Sequence, residues 1–183
     1  YRSDITGHPD SVQIRNKQLK TRVGDISFVL DKLTLLNNSF YFNNIIDLSL
    51  TGVLGHSYGG ASAINVSFVD PRIKACLALD SWMNPLSNKI INTGINQPFL
   101  HLGRASWNDS DYPSSPDLLM SFVKLKPKNK YSYILNGSRH LDFCDIPLFS
   151  PFSGLILETG SVSAKTAVST TNKIVLTFFD HFL

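Results

Sequence analysis

The chain of 183 residues is 43% apolar and 17% charged, with a formal net charge of +3. That is the length and balance of one globular domain, residues 1–183, with a sizeable core. No run reaches the roughly 18 unbroken apolar residues that cross a bilayer, and the basic residues form no dense run of the kind that grips nucleic acid.

Residues 1–11 are polar, include Gly7 and Pro9, and hold neither an initiator Met nor an apolar signal region. The chain is therefore expected to begin inside a longer protein. Further on, Ile14, Leu19, Val23, Ile26, Val29, Leu30, Leu33 and Leu36 recur near helical spacing, opposite Arg15, Lys17, Lys20, Arg22, Asp25 and Lys32. This predicts one long amphipathic helix, starting near Ser11 and ending at Asn37-Asn38-Ser39. Leu50–Leu54 reads as a strand, Gly60–Phe68 as a helix, and Ile73–Leu79 as a second strand. The second strand is apolar almost throughout, as in parallel sheets covered on both faces. It contains Cys76, expected as a buried free thiol. Neither Cys76 nor Cys144 has metal-ligand spacing, and no cofactor is expected.

Trp82–Asn96 reads as a loop with about one helical turn, and Pro98–Leu102 as a third strand. A polar loop with Asp109 and Asp111 follows, then a helix at Pro116–Val123, a strand at Tyr131–Leu135 and a terminal helix from Ser161 to Leu183. Lys124, Lys126, Lys128 and Lys130 alternate around Pro127 and read as a solvated loop before a strand rather than a nucleic-acid patch. This alternation implies an α/β fold: a mostly parallel sheet with right-handed crossovers and helices on both faces. Ligands in such sheets bind beyond the carboxyl ends of the strands.

Gly55-His56-Ser57-Tyr58-Gly59-Gly60 stands between the first strand and its helix. Gly-x-Ser-x-Gly in that context is a nucleophile elbow, a turn tight enough to strain the serine and leave its hydroxyl proud of the sheet. A serine hydroxyl needs a base to take its proton, and the base needs an acid to fix its tautomer. Of five histidines, His8 lies in the polar N-terminal segment, His101 within a strand and His181 in the last helix. His56 is in the elbow, with a backbone position that directs it away from Ser57. His140 follows the last strand in a glycine-containing loop, where the base belongs. For the acid, Asp80 ends the second strand, and Asp109 and Asp111 lie beyond the third. Spacing alone leaves these open. The order serine, acid, histidine is that of α/β-hydrolases, and Tyr58 N–H, following the nucleophile, is expected as one oxyanion donor.

The elbow together with Leu77-Ala78-Leu79-Asp80-Ser81-Trp82-Met83-Asn84-Pro85-Leu86 resembles the platelet-activating factor acetylhydrolase family, of the plasma and type II group. Ile14-Arg15-Asn16-Lys17-Gln18, Gln97-Pro98-Phe99-Leu100 and Gly137-Ser138-Arg139-His140, with Phe143 and Asp145 behind it, agree with that resemblance. It covers about Ile14 to Phe149, and the Ala-Leu-Asp-x-Trp-Met block is its specific part. It implies an α/β-hydrolase fold with Ser57 as nucleophile, Asp80 as acid and His140 as base. It further implies hydrolysis of short or oxidised acyl chains at the middle position of phospholipids, without calcium. The expected partners are a small ester or phospholipid substrate and, peripherally, a membrane or lipoprotein surface. The family's earlier strands, and the second oxyanion donor they carry, would precede the long helix, where this chain has about a dozen residues, so a fragment is expected.

Two other readings stand beside it. One is a general carboxylesterase or dienelactone-hydrolase-like enzyme using Asp109 or Asp111. The other is an inactive remnant serving as a binding module. The Asn-x-Ser patterns at Asn37, Asn65, Asn108 and Asn136 specify no compartment.

Overall fold

The computed structural model describes residues 11–108, 112–126, 128–150, 152 and 157–183. The long helix forms as α1, Ser11–Asn37. Its inward stripe is Leu19, Val23, Ile26, Leu30 and Leu33, which pack on residues such as Ile64, Val66 and Ile73. The stripe is narrower than the sequence pattern, because Val29 and Leu36 turn to solvent. Asn37 closes the helix end by bonding both the N–H and the carbonyl of Ile46.

Strand β1 (Thr51–His56) leads through Ser57 into α2 (Tyr58–Val69), and β2 (Ile73–Leu79) follows. After a short α3 (Asn88–Thr93) come β3 (Phe99–Gly103), α4 (Ser115–Leu125) and β4 (Lys130–Ile134). The last helix, α5, spans Ala164–Phe182. The sheet runs β1-β2-β3-β4 with every neighbouring pair parallel.

That spatial order decides where the helices go. Right-handed crossovers that always step in one direction leave their helices on one face. Accordingly α2, α3 and α4 share a core with α1, built on Ile64, Met83, Ile90, Phe99 and Phe122. The opposite face is covered by the chain beyond β4. There Phe178 of α5 and Phe143 meet Ala75, Leu77, Leu79, Leu100 and Leu102. Alternate residues of β2 thus enter different cores, which is why its sequence shows no polar side. Cys76 is buried and free, as expected.

Helix α3 falls within Trp82–Asn96, where about one helical turn is expected, with Ser87 capping it through the Ile90 N–H. One detail differs from the sequence reading. Lys130 is not in a solvated loop. It opens β4, is 9% exposed, and its ammonium donates to the carbonyl of Gln97.

Candidate active site

The elbow is built by close approach of strand and helix. A Cβ on Gly55 would overlap the backbone of Gly59, and one on Gly60 would meet Ser81 at 2.7–2.8 Å. Gly59 has open space around it, so the tight packing rests on the other two glycines. Ser57 takes φ 59° and ψ −120°, outside the regions that L-residues favour. Its N–H donates to the Leu79 carbonyl at 2.9 Å, and its carbonyl accepts from Trp82 N–H at 3.1 Å. Tyr58 begins α2, so helical geometry gives its N–H no carbonyl four residues back. The positive end of the α2 dipole lies at the same point, which favours developing negative charge.

Asp80 directly follows β2, fully buried and with φ 39°. Its Oδ1 accepts from Arg104 N–H at 3.0 Å and Trp107 Nε1–H at 3.2 Å. Its Oδ2 lies 2.5 Å from His140 Nδ1 and 3.3 Å from Arg104 Nε. Burial works to raise its pKa. The hydrogen bond from His140, the Arg104 N–H and the nearby positive charge outweigh that and hold it below the ordinary carboxylate value.

His140 opens a short 3₁₀ turn, His140–Phe143, beyond β4. Its Nε2 lies 2.9 Å from Ser57 Oγ. A single imidazole therefore bridges a hydroxyl at the end of β1 and a carboxylate at the end of β2. Buried Asp142 anchors the turn, since its Oδ2 accepts from Arg139 N–H and from Gly160 N–H, each at 2.7 Å. Trp107 stands edge-on to the His140 ring, 5.7 Å between centroids.

Of the other histidines, buried His101 accepts the Ser81 N–H at 3.3 Å and is pushed down to about 4 by burial. His181 is exposed on α5 against Phe182. His56 does not meet Ser57, yet it is not remote from the cluster: its Nε2 lies 3.0 Å from the His140 carbonyl. His8, Asp109 and Asp111 lie outside the described residues. Arg104, Trp107 and Asp142 escaped sequence reasoning. Arg104 and Trp107 follow β3 directly, so their place beyond a strand's carboxyl end was the only signal available. Asp145, singled out instead of Asp142, is exposed.

Several known proteins resemble this chain. Bovine (Bos taurus) platelet-activating factor acetylhydrolase is 25% identical over 185 residues, covering 93% of this chain and 40% of that protein. The chicken (Gallus gallus) protein of the same name is 26% identical over 189 residues, covering 93% of this chain and 43% of that one. The chain thus spans about two fifths of the length of these relatives. The solved structure of a ferulic acid esterase from Streptomyces cinnamoneus superposes with a TM-score of 0.71 at 29% identity. That match covers 92% of this chain and 49% of the esterase, so the parallel sheet and its helices are those of an α/β-hydrolase. The family model described as platelet-activating factor acetylhydrolase, isoform II, matches residues 5–183. The chain belongs to that family.

Proposed function

We propose that this protein is a serine-dependent carboxylic ester hydrolase in which Ser57 is the nucleophile, His140 the base and Asp80 the acid. The observation that carries this reading is the pair of contacts made by His140, 2.9 Å to Ser57 Oγ and 2.5 Å to Asp80 Oδ2. In this reading Nδ1–H donates to Asp80, leaving the Nε2 lone pair to accept the Ser57 proton. As Oγ attacks the ester carbonyl, His140 takes that proton and the carbonyl oxygen becomes an oxyanion facing Tyr58 N–H. Loss of one such donor typically costs about a hundred- to a thousandfold in rate. His140 then passes the proton to the departing alcohol, leaving an acyl-serine. A water, deprotonated by the same nitrogen, releases the acid and restores the hydroxyl.

The substrate we propose is a phospholipid whose middle position carries a short or oxidised acyl chain. Membership of the acetylhydrolase family supports this class. Asp80 is preferred to Asp109 or Asp111 as acid because it already holds His140.

A fluorophosphonate probe tests the chemistry. The intact protein should be phosphonylated on Ser57, and Ser57→Ala should abolish both labelling and ester turnover. Labelling of another residue, or none, would leave the inactive-remnant reading standing. Turnover of a 2-acetyl glycerophosphocholine in preference to its 2-oleoyl counterpart is the expected outcome for the substrate class. The reverse preference would contradict it.

A further inference from the structure

We propose that His56 is a positioning residue, a clasp that fastens the backbone of the His140 loop to the nucleophile elbow. The inference rests on the triad reading above. Strands β1 and β4 occupy the two edges of the described sheet, and three strand spacings separate them, roughly 14 Å. The loop leaving β4 must therefore travel back across the carboxyl ends of β3 and β2 for its imidazole to reach Ser57. Asp142 ties the loop to Gly160, and Phe143 enters the core beneath it. At the β1 end, a contact from the elbow to the loop's backbone also holds it: His56 Nε2 to the His140 carbonyl, 3.0 Å.

Strand alternation explains why His56 makes that contact and cannot replace the base. Gly52, two pairs of residues earlier on β1, faces Phe179 of α5, whereas Gly55 faces α2. The period of two puts His56 on the α5 face with Gly52. Its ring lies against His140, 4.6 Å between centroids and tilted by 38°, with Phe143 at 6.4 Å. A carbonyl oxygen cannot donate, so Nε2 must carry the hydrogen. Burial, assisted by the neighbouring His140, pushes the His56 pKa down to about 4. Near neutral pH the ring is therefore the uncharged tautomer with Nε2–H. Because the donor is the residue before the nucleophile, the base is located relative to the elbow itself.

Three substitutions test the clasp: His56→Phe keeps a flat ring without the donor, His56→Gln restores an N–H at similar reach, and His56→Asn offers one too short to reach. Each is compared with wild type by its second-order rate of fluorophosphonate labelling and by kcat and KM on p-nitrophenyl acetate. His56→Phe should lower kcat and the labelling rate about 10- to 100-fold, with KM within about twofold, as expected for an imidazole displaced by about an ångström. His56→Gln should recover most of that loss and His56→Asn little of it. Wild-type kcat in His56→Phe, or equal loss in the Gln and Asn variants, would overturn the clasp and leave only ring packing. If His56→Phe fails to fold, the Gln and Asn pair makes the same comparison. A wild-type protein without labelling would instead overturn the triad reading on which the clasp depends.

Discussion

The elbow and the His140 loop present two halves of one site, held in place by different means. At the elbow the backbone is fixed locally: Gly55, Ser57 and Gly60 fall within six residues, and the absence of a Cβ on the two glycines lets strand and helix touch. The His140 loop is fixed by partners far away in sequence. Its contacts reach back 60 residues to Asp80, 83 to Ser57 and 84 to His56, while Asp142 reaches forward 18 to Gly160. The proposed nucleophile is thus set by sterics written into one short segment. The proposed base is set by hydrogen bonds that exist only once the sheet has assembled.

This contrast predicts how each half fails. The largest effect on stability is expected at Gly55. An alanine there would drive Cβ into the Gly59 carbonyl, backbone that cannot rotate aside, at a cost of about 2–4 kcal/mol in urea unfolding. Gly59→Ala serves as the contrasting substitution. It sits in α2 with nothing within 4 Å, so stability should hold or rise by up to about 1 kcal/mol. Equal damage from both would mean that close approach is not what the elbow requires.

At the base loop, Asp142→Ala should leave the Arg139 and Gly160 N–H groups without their shared acceptor. The expected loss is about 1–3 kcal/mol of stability, accompanied by a fall in kcat of at least about tenfold. Stability loss with unchanged kcat would show that the loop keeps its register without this anchor.

The smallest effect should come from the opposite end of the sheet, where Asp70 joins Arg72 at 2.6 Å and accepts from Ser27 at 2.9 Å. Chiefly through the Arg72 hydrogen bond, its pKa is lowered from 3.8 to about 2. A carboxylate held low in the folded state stabilises above its unfolded pKa of 3.8, and that contribution disappears as pH falls towards about 2. Because Arg72 is 37% exposed, the contribution is discounted to about 1 kcal/mol at pH 7. Asp70→Asn should remove it, flatten the stability profile over that acid window and leave kcat unchanged. A kcat that fell with it would mean that the Asp70 pair and the site at the other end of the sheet are coupled.

The same contrast explains what the sequence revealed. The elbow was legible because its residues are adjacent, and β2 was legible because a continuous apolar run has few other uses in an α/β chain. His140 could be picked out by its place after the last strand. The choice among Asp80, Asp109 and Asp111 could not be made from spacing, because each follows a strand's carboxyl end and the sequence carries no distances. Trp107 and the contact of His56 with the loop backbone were hidden for a related reason, since their roles depend on segments beyond β1, β2, β3 and β4 meeting above the sheet. Asp142 was hidden because its contact with Gly160 depends on how the chain beyond β4 folds back on itself. Lys130 was misread because an alternating lysine pattern does not reveal which ammonium reaches a carbonyl such as that of Gln97.

The proposed site depends on Asp80 as the acid that holds His140, and the substitution Asp80→Asn tests that most directly. The carboxamide would keep the shape of the side chain and remove the charge that stabilises the imidazolium and fixes its tautomer. The prediction is a fall of about a thousand- to ten-thousandfold in kcat on p-nitrophenyl acetate, with the protein still folded. Turnover within about tenfold of wild type would contradict it and return the acid's role to Asp109 or Asp111.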